Sequence, residues 1–295
     1  MPKALVNGVN IYYEVHGGGF PLVLVHEFAG DAQSWDPQVC FFARRYTVVT
    51  YNARGYPPSD VPEDPAAYSQ QTSVDDLYHL MRHLKIERAH ICGLSMGGFC
   101  VLHFGFQHAE MARSLVVAGC GYGAVKTERE KFQRDSELVA QRMEREGMPA
   151  MAPLYGRGPT RVQFESKDPK GFQKFLEQLG GHSGVGSART LMGVQRTRPS
   201  LYDLQDQMER LDVPTLVVTG DEDEPCLEPA LLMKRKIPRA GLLVIPKTGH
   251  TVNLEEPEAF NRAVLDFLTA AEADRWPRRD PRSISTSAII AGQTK

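Results

Sequence analysis

Short, unbroken apolar runs recur along this chain at intervals filled by helix-length segments, and that alternation narrows the fold more than any other feature. Residues 22–25, 46–51, 89–93 and 114–118 are four such runs. A run of this kind, without polar alternation, is expected of a strand covered on both faces. Between them, residues 73–84 carry Val74, Leu77, Leu80, Met81 and Leu84 at helical spacing, so one face of a helix is apolar. Strand and helix in alternation predict an α/β fold with a mostly parallel central sheet and helices on both faces. The chain opens differently, because residues 4–6 and 11–15 flank Asn7-Gly8, a dipeptide that favours a tight hairpin.

The rhythm stops after Gly119-Cys120-Gly121. Residues 122–210 are polar and helical in pattern, punctuated by Gly and Pro, with no convincing buried strand. Alternation resumes with a strand over 213–220, a helix near 228–236, a strand at 242–245 and a closing helix over 257–271. The expected organisation is a core of residues 1–121 and 211–272, a helical cap inserted at 122–210, and an irregular tail at 273–295 that is basic and broken by proline. A chain of 295 residues suits one large domain with such an insertion.

A formal charge of -2 provides no long-range field suited to nucleic acid or anionic lipid, which leaves a small molecule as the expected partner. No apolar run approaches the roughly 18 to 20 residues of a membrane span, and the first residues lack the pattern of a signal peptide. Five scattered cysteines, Cys40, Cys92, Cys100, Cys120 and Cys226, read as free thiols of a cytoplasmic protein, a monomer or homodimer. No CxxC pair or Cys/His cluster suggests zinc. His79 and His83 stand four apart on a helix without a third ligand, and read as solvent-facing. Gly17-Gly18-Gly19 precedes a strand and reads as a turn, since phosphate cradling needs a helix after it.

The segment that carries chemistry is Gly93-Leu94-Ser95-Met96-Gly97, which matches G-x-S-x-G directly after a buried run and before an apolar helix. A serine on a sharp strand-to-helix turn needs glycines beside it, so that neighbouring chain can pass close by. The turn exposes the hydroxyl, and the amide of Met96, at the start of the helix, faces an oxyanion forming there. A serine hydroxyl is a poor nucleophile and requires a base oriented by a third group. His250, on the loop after the last strand, is the expected base, and a carboxylate of Asp221-Glu222-Asp223-Glu224 is the expected orienting acid. Both loops follow strands of a parallel sheet, at the same edge as Ser95, in the chain order Ser, Asp, His.

These motifs resemble those of the α/β-hydrolase superfamily, in particular its esterase and meta-cleavage-product hydrolase branch with a helical cap. That resemblance covers residues 1–270 and is specific at the three catalytic loops. Members carry G-x-x-D after the penultimate strand, so Gly220-Asp221-Glu222-Asp223 assigns the acid to Asp223, with Asp221 in reserve. After the strand at 22–25 they read His-Gly followed by an oxyanion residue. Here the sequence is His26-Glu27-Phe28, which assigns the second oxyanion donor to the Phe28 amide and leaves a carboxylate where glycine is usual. Asn52 and Pro57 likewise replace an acid and a glycine of D-x-R-G-x-G-x-S, where Arg54 and Ser59 are expected to brace a loop.

The resemblance implies a serine esterase without cofactor or metal, acting on a small, largely apolar ester through an acyl-enzyme on Ser95. Glu27, Phe99, Met148, Met151, Leu154 and Tyr155 are the expected substrate-binding residues. Lactone opening and carbon–carbon hydrolysis share this apparatus and remain alternatives, as does a receptor with slow turnover. Haloalkane dehalogenase and epoxide hydrolase need a carboxylate where Ser95 stands.

Overall fold

The computed structural model describes residues 2–284. Eight strands form one sheet: β1 (Lys3–Val6), β2 (Val9–Gly17), β3 (Phe20–Val25), β4 (Tyr46–Tyr51), β5 (Ala89–Leu94), β6 (Ala112–Ala118), β7 (Thr215–Gly220) and β8 (Ala240–Ile245). Their order is β1-β2-β4-β3-β5-β6-β7-β8. The first two pairings are antiparallel and the remaining five parallel. Asn7 and Gly8 both have positive φ, 46° and 78°, the backbone of a two-residue turn whose twist matches its strands. The other strands need helical crossovers, and the apolar faces of those helices cover the sheet.

Two layers of core enclose the sheet. Side chains of β3, β5 and β6 alternate between them: Val23, Ile91 and Leu115 pack with Leu77, Val101 and Phe104 on one face, while Leu24, Cys92 and Val116 pack with Trp35, Phe260 and Phe267 on the other. This two-sided burial is why the strand sequences show no polar alternation. Register pairs Val25 with Gly93, Leu94 with Ala118, and Gly220 with Ile245. The chain therefore leaves β3, β5, β7 and β8 along one edge, where the loops can meet.

Between β6 and β7 there is no strand. Helices Arg129–Glu146, Met148–Tyr155, Val162–Lys167, Pro169–Gly180 and Gly184–Thr190 bury a separate apolar cluster that includes Met143, Phe164, Phe172, Phe175 and Leu179. This cluster sits above the sheet edge. Its neck is closed where Arg198 donates to the carbonyl of Tyr122 (2.7 Å) and Ser200 Oγ to that of Ala124 (2.5 Å). Below the neck, Leu201, Leu204, Met208 and Leu211 pack in the main core. The last ten residues of the expected insertion thus serve the sheet, because a chain returning to start β7 must cross to the opposite edge.

Beyond the helix Pro257–Glu272 the chain is irregular but anchored. Trp276 packs on Phe267 with ring centroids 4.7 Å apart and exchanges hydrogen bonds with Arg239, while Arg278 pairs with Asp212. Residues 285–295 of the expected tail lie outside the described residues. No described helix is long and apolar enough to cross a membrane.

A close backbone approach joins Gly97 to the end of β3, where an added Cβ would overlap the carbonyls of Val25 and His26. Both neighbours are main chain and cannot swing aside. Gly97→Ala is expected to cost about 2–4 kcal/mol in denaturant unfolding, whereas Gly18→Ala, with open space around it, is expected to change stability by less than about 0.5 kcal/mol.

Candidate active site

Ser95 joins β5 to the helix Met96–Gln107 with φ 55° and ψ -112°. Positive φ is costly for a residue with a side chain, of order 1–3 kcal/mol, and the surroundings hold it there. The Ser95 N–H donates to the carbonyl of Ala118 (2.8 Å), and the Ser95 carbonyl accepts from Phe99 (3.0 Å). Gly93 and Gly97 close the turn, because a Cβ on Gly93 would overlap the Gly97 carbonyl. Met96 is the first residue of the helix, so its N–H has no intrahelical acceptor.

His250 lies on the loop after β8, and its Nδ1 is 2.8 Å from Asp223 Oδ2. Asp223 is almost wholly buried. Burial would raise its pKa, but the facing His250 holds it below the ordinary carboxylate value. For His250 burial acts downward, and the charge of Asp223 outweighs it, so the imidazole pKa is raised. The ring lies over Gly119, beside the carbonyl that anchors Ser95. Asp221 is exposed and accepts from the Thr248 amide, which shapes the loop. Asp223, Cys226 and His250 each offer an atom within 4.8 Å of the others, a set that could hold a metal ion. The His250–Asp223 hydrogen bond is the contact that would orient a base.

The loop after β3 is braced from below. His26 Nε2 accepts from the Ala53 amide (2.9 Å), which leaves Nδ1 as the donor to the Glu27 carbonyl (2.6 Å), and burial lowers its pKa to about 4. Tyr56 donates to the Phe28 carbonyl. The Phe28 amide has no hydrogen-bond partner among the described residues. Asn52 accepts from Ala32 and donates to the Pro57 carbonyl, Arg54 pairs with Asp76, and Ser59 bridges the carbonyl of Asn52 and the amide of Tyr12. All three hold loops.

A cavity of about 310 Å³ brings together Ser95, Asp223 and His250 with Glu27, Phe28, Tyr122, Leu154, Tyr155, Arg161 and Gln195. Of the expected substrate-binding residues, Glu27, Leu154 and Tyr155 line it and three do not. Phe99 is buried beneath Arg198, whose Cζ stands 3.6 Å from its ring. Met148 and Met151 face the apolar cluster that the inserted helices share with Phe28, Tyr56 and Met96, since positions three apart on a short helix share its inner face. Tyr155, four residues after Met151, meets Phe28 edge-on.

Glu27 does not stand alone. Its Oε2 is 2.5 Å from the guanidinium of Arg161, and both side chains are buried. Arg161 lies 134 positions away, and no pattern in the sequence joins the two. The unusual carboxylate was itself the available signal, since a buried charge demands a partner. His79 and His83 are exposed, as expected.

Residues 15–263 match the sequence model of the Alpha/beta hydrolase family. The chain is 29% identical, over 88% of its length and 95% of the relative's, to a putative non-heme chloroperoxidase of Synechocystis. It is 28% identical, over 85% and 89%, to 3-oxoadipate enol-lactonase 1 of Acinetobacter baylyi. Among solved structures, a thermophilic esterase of Thermogutta terrifontis superposes with a TM-score of 0.81 at 25% identity, over 92% of this chain and 98% of that one. A strained serine after β5, a histidine and carboxylate after β8 and β7, and a family match across most of the chain agree: this protein belongs to the alpha/beta hydrolase family and is a hydrolase.

Proposed function

We propose that the protein cleaves a carboxylic ester of a small, largely apolar substrate through an acyl-enzyme on Ser95. The observation that carries this reading is the buried His250–Asp223 hydrogen bond facing the same cavity as Ser95. His250 Nε2 takes the Ser95 proton as Oγ attacks the carbonyl carbon, and the oxyanion rests on the amides of Met96 and Phe28. Collapse breaks the bond to the alkoxy oxygen, which leaves with the proton from His250. His250 next takes a proton from water, whose oxygen attacks the acyl carbon and releases the acid and Ser95. Phe28, Leu154, Tyr155 and Pro225 make most of the cavity wall apolar, and its volume is at the lower end for a ligand site. The five free thiols suit a cytoplasmic setting.

Lactone opening is the second reading, favoured by the enol-lactonase among the relatives. It uses the same steps, except that the alcohol stays tethered to the acid. Steady-state assays with p-nitrophenyl esters of graded acyl length and with small lactones separate the two by kcat/KM. Ser95→Ala is expected to reduce turnover by about 10⁶-fold on either substrate. Turnover unchanged in Ser95→Ala would remove both readings.

The base must be neutral to act, and its pKa is raised. Activity is therefore expected to fall as pH drops through a midpoint above the ordinary histidine value of about 6.5. Asp223→Asn removes the main charge that raises it and leaves desolvation and the Arg161 charge, which lower it, against Glu27 alone, so the acid limb is expected to move to lower pH. A pH–rate profile checks this, together with a loss in kcat of about 10⁴-fold.

A further inference from the structure

One cap segment, residues 160–167, reaches the loops that carry His250, Asp223 and Phe28. The Thr160 carbonyl accepts from the His250 amide (2.8 Å), and Gly249 lies so close against it that no Cβ would fit. Lys167 reaches Thr248 and Glu256 on the histidine side (3.3 and 2.6 Å). Gln163 bonds Glu222 on the acid loop. Arg161 bonds Glu27 on the loop that carries the Phe28 amide. Of these bonds, only Arg161–Glu27 is a buried pair of opposite charges.

That pair stands where charge develops. Glu27 precedes Phe28 directly and shares the cavity with Ser95 and His250, so a bare carboxylate there would repel an oxyanion held by the Phe28 amide. At an effective dielectric constant of about 20, like charges about 6 Å apart oppose each other by an amount worth about 10²-fold in rate. Arg161 is the one cation within salt-bridge distance of Glu27 among the described residues. Its guanidinium also lies within 6 Å of the rings of Tyr155 and Phe175, which belong to the cap. The compensating charge therefore arrives and leaves with the cap.

We infer that Arg161 is a positioning residue that acts through Glu27: it neutralises the carboxylate on the oxyanion loop, so that loop is competent only while the cap turn at 159–161 is seated on the core. This rests on the serine-hydrolase reading above. It gives the glutamate that replaces the usual glycine a purpose, since a glycine would leave the oxyanion site equally ready with the cap seated or lifted. In this chain the site is expected to lose about 10²-fold in rate whenever Arg161 is away from Glu27.

The test uses the full chain and needs no natural substrate. A small neutral fluorophosphonate forms a bond from Ser95 Oγ to phosphorus, expels fluoride and passes the serine proton to His250, and intact mass reads the rate. Arg161→Met is expected to slow this step about 10²-fold. Glu27→Gln/Arg161→Met, which leaves no charge behind, is expected to return to within about ten-fold of wild type. Arg161→Lys, which keeps the charge, is expected in the same range. A double variant still slowed about 10²-fold would overturn the inference, since Arg161 would then act by packing or by direct contact; so would wild-type rates in Arg161→Met. Should Arg161→Met not fold, Arg161→Gln and Glu27→Gln/Arg161→Gln take the place of these two variants, with the same rates expected. If wild type is inert to the reagent, the serine-hydrolase reading fails and the inference falls with it; a reactive wild type with an unaffected Arg161→Met removes the inference alone.

Discussion

The contact of Gly97 with the end of β3 is the constraint on which the site depends. It brings the helix that starts at Met96 against the carbonyls of Val25 and His26, so the first helical amide and the loop carrying Phe28 approach the same point. A side chain at 97 would part this helix from the loop after β3. The positive φ of Ser95 follows from this geometry, because a chain that must turn from β5 into a helix lying so close has no relaxed path. The local strain is offset by the sheet around it: β5 lies between β3 and β6, with every residue buried, and cannot shift to relieve one turn.

The sheet was legible in the sequence because each strand is buried on both faces, and unbroken apolar runs are what that burial requires. The antiparallel hairpin was legible because Asn7-Gly8 has few other uses. Ser95 and His250 stood out because their loops follow such runs, and Gly93 and Gly97 flank the serine for a steric reason readable from residue type alone. Strand ends were less exact: β2 runs from Val9 and not Ile11, and β6 starts at Ala112 and not Ser114, since the backbones of Val9, Asn10 and Ala112 pair in the ladder beyond the apolar runs.

What the sequence hid was anything held by contact between distant segments. Met148, Met151 and Phe99 are apolar residues close in sequence to the site, yet they serve other surfaces. Nothing in the composition of a helix says which neighbour its apolar face will meet. The partner of Glu27 was hidden for the same reason, as it comes from a turn among the inserted helices, 134 positions away. Such a pair adds little net stability, since the cost of removing two ions from water roughly matches their attraction. Its value is in fixing one arrangement, because either charge left alone there is strongly disfavoured.

The neck of the helical insertion between β6 and β7 has a consequence for how this chain could change over generations. Tyr122 and Ala124 on the way out, and Arg198 and Ser200 on the way back, hydrogen-bond to each other at the base of the insertion. The two ends of nearly eighty residues are thus pinned side by side before the cap begins. When the ends of a loop are already joined, the entropy of closing it rises only slowly with length. Helices above the neck can therefore be lengthened, shortened or exchanged as a cassette while the sheet beneath keeps its register, so a new specificity could be grafted here without refolding the machinery that would act on it.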